Sequence, residues 1–166
     1  AWVPFWPATI ALYCRIDVAY LLAFFVTRDL ARLHRLAGRL LAVQLICFAC
    51  FWLWPMRLEH ARPVVDGAWG AWYSALASFD GASNLLPSLH VAILGVLWAH
   101  FRAGASTRRG RWACDAWAIG VALSALTTRQ HHVLDVLAGG VVAGVVMRGG
   151  ALRAGAQREA IVWKDR

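Results

Sequence analysis

At 166 residues, with 60% apolar side chains, ten Trp and a mean hydropathy of +0.54, the chain carries more apolar surface than one water-soluble core of this size could bury. The formal charge of +8 does not point to nucleic acid, because the basic residues fall in short blocks between apolar runs and no basic face interleaved with aromatics appears. A soluble globular domain and a nucleic-acid partner are excluded, and the expected fold is all-α: a polytopic integral membrane helical bundle forming a single domain over 1–166.

The first apolar run, Trp6–Val26, is long enough to cross a bilayer, which takes about 20 helical residues. Arg15 and Asp17 lie inside it; two residues apart, they do not face each other on a helix, and each is expected to pair with another span. A basic loop, Arg28–Arg39, leads to a second run, Leu40–Trp54, which holds Cys47 and Cys50. That C-x-x-C spacing has no second pair and no His beside it, so ordinary apolar packing is expected for these cysteines and for Cys14 and Cys114. After the polar stretch "WPMRLEHARP", the segment Val64–Phe79 places Trp69, Trp72, Tyr73 and Leu76 at helical spacing, as an amphipathic helix lying in the interface would. The stretch "NLLPSLH" opens a third run, Leu89–Phe101; a basic loop, Arg102–Arg111, leads to a fourth, Trp112–Leu126; and "TTRQHH" precedes a fifth, Val133–Met147. Five spans are therefore expected, several of them short enough to recruit flanking polar residues.

Orientation follows from the basic residues. Thirteen of them lie in the two basic loops and the tail from Arg148, against only Arg57, Arg62 and Arg129 on the other side, so the first set is expected to be cytoplasmic. The polar stretches then emerge on the outer face together with the N-terminus. With both ends cytoplasmic in the usual six-span arrangement, a further helix upstream of Ala1 is expected.

The outer face gathers those three Arg and four of the six His, His60, His90, His131 and His132, against the topological trend. Guanidinium forks suit phosphate oxygens and imidazole supplies acid, base or nucleophile near neutral pH, so phosphate-ester chemistry fits both. Pro87 suits the first turn of the third span, which places Ser88 and His90 at a helix N-terminus, where backbone N–H groups and the helix dipole favour an anion. Thr127 or Thr128 is expected to cap the last span, with His131 in its first turn. Four residues on, Asp135 would share a helix face with His131 and accept a hydrogen bond from one ring nitrogen, leaving the other free to attack. His132 lies three residues from Asp135, and spacing alone leaves it open as the alternative. His60 reads as a solvated loop residue, His34 and His100 as cytoplasmic residues with no catalytic part, and Asp80 and Asn84 as caps flanking the third span. The outer-face carboxylates, Glu59, Asp66, Asp80 and Asp135, are scattered, so no metal and no other cofactor is expected.

These motifs carry a resemblance. "PSLH" ahead of an apolar helix and "QHHVLDVLAGG" with its H-x-x-x-D resemble the second and third signatures of the type 2 phosphatidic acid phosphatase superfamily, nearest the branch of inositol phosphorylceramide synthases and related bacterial membrane phosphatases. "PMRLEHARP" supplies the Arg62-Pro63 that closes that superfamily's first signature, although Pro55 stands where its Lys would be, and Arg57 is the substitute cation. The third signature usually opens on Ser-Arg; here the pair is Ser124-Ala125, and Arg129 replaces the arginine.

The resemblance implies that His131 attacks phosphorus, Asp135 orients it, and His90 protonates the leaving oxygen and then activates the acceptor. Arg57, Arg62, Arg129 and Ser88 would hold the phosphoryl oxygens. It implies a metal-independent lipid phosphatase working on a phosphomonoester or diphosphate at the outer face of a bacterial cytoplasmic membrane, with a phosphorylated lipid as substrate and membrane lipids as surroundings. A phosphotransferase that passes the phosphoryl headgroup to an alcohol is the alternative. A transporter or scaffold that only binds phospholipids is the second, and would carry polar groups along several spans at mid-membrane.

Overall fold

The computed structural model describes residues 3–56, 65–79 and 85–164, and these are helical with no β-strand among them. A 3₁₀ turn at Pro7–Thr9 runs into α1 (Ile10–Tyr13) and α2 (Arg15–Val26); α3 (Leu30–Leu53), α4 (Gly67–Phe79), α5 (Leu89–Gly104), α6 (Arg108–Thr127) and α7 (Val133–Lys164) follow. Three stretches, Pro7–Val26, Leu30–Leu53 and Val133–Gly150, are long and apolar enough to cross a membrane, and α5 is a shorter apolar helix.

Several helices run past the limits of their apolar runs. Asp29 caps α3 by accepting from the Ala31 N–H at 3.0 Å, so the helix starts at Leu30 and takes in Arg32, Arg35 and Arg39, which were expected in a loop. The expected loop Arg102–Arg111 shrinks to three residues, because α5 continues to Gly104 and Thr107 caps α6 by accepting from Gly110 at 3.0 Å. Arg148 and the residues after it continue α7 to Lys164. Intrahelical hydrogen bonds satisfy the backbone whatever the side chains, so the limits are set by caps and not by hydropathy.

Helix α5 is central. It packs against α2, α3, α6 and α7, and buries Val91, Ala92, Leu94, Val96 and Leu97 against a core that includes Leu36, Leu40, Val43, Cys47 and Val121. Small residues bring α5 and α7 into close approach. A Cβ on Gly139 would stand 2.4 Å from the Ser88 carbonyl oxygen, and one on Gly95 2.6 Å from the Ala143 methyl, so neither position admits a side chain without movement. Large apolar side chains meanwhile point outward all around, with Phe25 at 83%, Trp52 at 85% and Leu134 at 72% exposure. In water this surface would be a severe liability; against lipid it is the expected lining.

Candidate functional site

The site is assembled where α5 and α7 begin, α6 ends, and the N-terminal segment crosses them. Ser88, fully buried, is the N-cap of α5, its hydroxyl oxygen accepting from the Val91 N–H at 3.3 Å. Pro87 therefore precedes the cap and does not occupy the first turn. The Ser88 N–H donates to the Asp135 carbonyl at 2.9 Å, a direct backbone link between the starts of α5 and α7. The Trp6 N–H donates to the Thr127 carbonyl at 2.9 Å, and the Thr9 and Thr127 hydroxyls lie 2.8 Å apart, which ties the N-terminal segment to the end of α6.

Thr127 and Thr128 close α6, correcting their expected role as caps of the last span. Thr128 is the C-cap residue and its hydroxyl donates to the Ser124 carbonyl at 2.6 Å. Arg129 follows with φ of 55°, the left-handed residue that ends a helix, normally Gly or Asn. Its guanidinium sits 5.4 Å from the centre of the Phe5 ring. The Tyr73 hydroxyl of α4 donates to the Thr128 carbonyl at 3.2 Å, and burial pushes its phenol up to about 12, so it remains a donor throughout the neutral range.

His131 precedes α7 rather than lying in its first turn, and is 8% exposed; His132, its neighbour, is exposed to solvent or lipid. Asp135 is also buried, with one carboxylate oxygen accepting from the His132 N–H at 2.8 Å and standing 3.9 Å from His131 Nδ1. The first contact is the return half of a capping box, an acidic third residue reaching back to the N-cap N–H. The second is an ion-pair separation, longer than a hydrogen bond. One carboxylate thus fixes the start of α7 and faces the imidazole of His131.

His90, in the first turn of α5, lies with its ring flat on Tyr13, centroids 3.8 Å apart and planes within 5°. The ring is hydrogen-bonded to the Tyr13 backbone, while its buried Nε2 has no hydrogen-bond partner among the described residues. His90 and His131 line one cavity of about 490 Å³. Ile16, Phe51, Leu89 and Ile93 supply its apolar wall, and Tyr13 of α1 with Asp17 and Tyr20 of α2 supply the remaining polar side chains. Asp17 and Tyr13 escaped the sequence reading of the site. A carboxylate within an apolar run was the available signal for Asp17, since such a group is costly in lipid unless it serves a cavity.

Of the expected site residues, then, His90, His131 and Asp135 come together, and Ser88 lies beneath them as the cap that joins α5 to α7. Arg129 is close in sequence but its guanidinium is taken up by Phe5, outside the cavity wall. Arg57, Arg62, Glu59, His60, Asp80 and Asn84 lie outside the described residues. Among the described residues no group of three His, Cys, Asp or Glu side chains converges as metal ligands would. Compared with family models, with curated proteins and with solved structures, the chain finds no match.

Proposed function

We propose that this chain is a membrane enzyme that removes or transfers a phosphoryl group of a lipid, as the resemblance of its PSLH and H-x-x-x-D motifs to the type 2 phosphatidic acid phosphatases implies. The observation that carries the reading is the meeting of His90 and His131, forty-one positions apart in the chain, on one apolar-walled cavity, with the Asp135 carboxylate 3.9 Å from His131 Nδ1. Asp135 favours the tautomer with its proton on Nδ1, which leaves the Nε2 lone pair to attack phosphorus. A phosphomonoester monoanion brings a proton into the cavity and passes it to His90 Nε2; as the N–P bond forms, the bond from phosphorus to the lipid oxygen breaks, and His90 gives that proton to the lipid oxygen. Water, held by the now neutral His90, then attacks phosphorus; its proton passes to His90, the N–P bond breaks, His90 hands the proton to the departing phosphate, and both histidines return to their starting states. Phosphoryl transfer needs mostly positioning and charge stabilisation, and the start of α5 offers N–H groups for the second. Arg57 and Arg62 are the cations proposed for the phosphoryl oxygens; Arg129, which rests on Phe5 outside the cavity wall, would have to swing inward to join them.

A second reading, transfer to an alcohol, is favoured by one observation: Asp17 places a carboxylate in the same cavity, where it repels phosphate but suits the hydroxyl of an acceptor. The two are tested together by incubating the purified protein with phosphatidic acid, phosphatidylglycerophosphate and isoprenyl diphosphate, with and without ceramide-type acceptors, and recording free phosphate and new lipids. Turnover that persists in excess EDTA and disappears in His90→Ala on a lipid alkyl phosphate is expected. Activity lost on chelation and restored by Mg²⁺ would overturn the scheme.

A further inference from the structure

A second cavity among the described residues, about 830 Å³, lies at the other end of the bundle, where α2 ends and α3 begins, against the last turn of α5 and the first turns of α6. Its size is that of a small-molecule site, about 300–1,000 Å³. Arg28 and Arg32 stand on its rim with His100, and Arg35 and Arg39 line a smaller adjoining hollow that shares Arg32 and His100. Among the described residues none of these four arginines has a carboxylate within ion-pair distance. Two acids lie nearby: Asp29 lines this cavity too, with one carboxylate oxygen accepting the Ala31 N–H as the cap of α3, so that Arg28 and Arg32 still leave its lining net positive, while Asp115 holds Arg102 at 2.8 Å and the Trp98 indole N–H at 2.7 Å. His100 is fixed in place. The Thr27 hydroxyl gives its one proton to the Ala23 carbonyl, so at 2.8 Å it accepts from the His100 Nε2–H. Arg32 reaches across to α5, where a Cβ on Gly104 would stand 3.3 Å from one of its terminal nitrogens.

Beyond the cationic rim the wall is apolar, with Leu22, Val26, Phe101 and Trp117. Leu22 and Val26 are also 48% and 52% exposed, so the cavity opens sideways onto the outward apolar face of α2, where acyl chains would run. Basic residues at helix ends are accounted for by topology alone. A cavity behind them, cationic at the rim, apolar within and open toward the lipid face, is not.

We propose that this cavity binds one anionic phospholipid, its phosphate against Arg28 and Arg32 and an acyl chain along Leu22, Val26 and Phe101, at the end of the bundle opposite the histidines. The charge is complementary, guanidinium forks fit phosphate oxygens, and the lateral opening selects a lipid over a soluble anion. The site is independent of the chemistry proposed for His90 and His131.

Cys114 lines the cavity and reports its occupancy. With Cys14, Cys47 and Cys50 replaced by Ala, the rate of Cys114 alkylation by N-ethylmaleimide is measured in micelles containing phosphatidylglycerol, phosphatidylcholine of the same chains, or inorganic phosphate. Phosphatidylglycerol should slow alkylation about fivefold, the protection expected at about four times its dissociation constant. Phosphatidylcholine and phosphate should not, and Arg28→Gln with Arg32→Gln should remove the protection while thermal unfolding stays that of the parent. Equal rates in the two lipids would overturn the proposal with no variant needed. So would protection by phosphate alone, or protection by phosphatidylglycerol that survives in the double variant.

Discussion

His131 and His132 are adjacent in sequence and opposite in circumstance. The first is buried on the cavity with a carboxylate beside its Nδ1; the second is exposed and lends Asp135 only its backbone N–H. A rotation of about 100°, the relation between adjacent residues within a helix, is not what sets them apart, because both precede α7. What separates them is the chain reversal after Arg129, whose left-handed φ and the hydrogen bond from the His131 N–H to the Ala125 carbonyl at 3.2 Å turn His131 inward. His131→Ala should abolish turnover, whereas His132→Ala should keep at least about a tenth of it, an allowance of about 1.4 kcal/mol for altered packing. Steady-state rates on the same lipid check both.

The elements meet at their ends, and two glycines decide how closely. Gly139 lets α7 lie against the Ser88 carbonyl, which keeps the Ser88 to Asp135 backbone hydrogen bond at 2.9 Å and so holds His90 and His131 on one cavity; Gly140, one position on, has open space around its Cα. Gly139→Val should lower thermal stability by about 1–3 kcal/mol and remove activity with it. Gly140→Val, facing outward, should leave both near the parent, as thermal melts and turnover in detergent would record. The run of apolar residues made the helices legible in sequence, and the PSLH and H-x-x-x-D motifs marked three residues that do converge. Helix limits were less legible. Arg32, Arg35 and Arg39 read as a loop because their polarity outweighed the cap at Asp29, and Thr127 and Thr128 read as an N-cap because Ser and Thr close α6 by bonding back to its carbonyls as readily as they open a helix. Asp17 was seen, but its place on the cavity depends on how α2 crosses α5, which no local pattern encodes.

At the scale of the molecule, the two ends of the bundle differ in kind: histidines and a carboxylate around one cavity, arginines around the other. Exposed tryptophans lie toward both, with Trp6, Trp52 and Trp54 at the histidine end and Trp112 at the arginine end, as aromatic belts would place them. The excess of basic residues puts the arginine end in the cytoplasm in our reading. Single-cysteine labelling in intact cells, after replacement of the native cysteines, should therefore modify position 83 from outside and leave position 106 protected; the reverse pattern would move the histidines to the cytoplasmic face. A phosphohistidine at His131 is the step on which the proposed chemistry turns, and it can be trapped. The purified protein, mixed with a lipid carrying labelled phosphate, quenched within milliseconds under alkaline conditions that preserve phosphohistidine and then digested, should yield label on His131, absent in His131→Ala and retained in His132→Ala. Label on His132, or turnover by His131→Ala, would rule out His131 as the nucleophile.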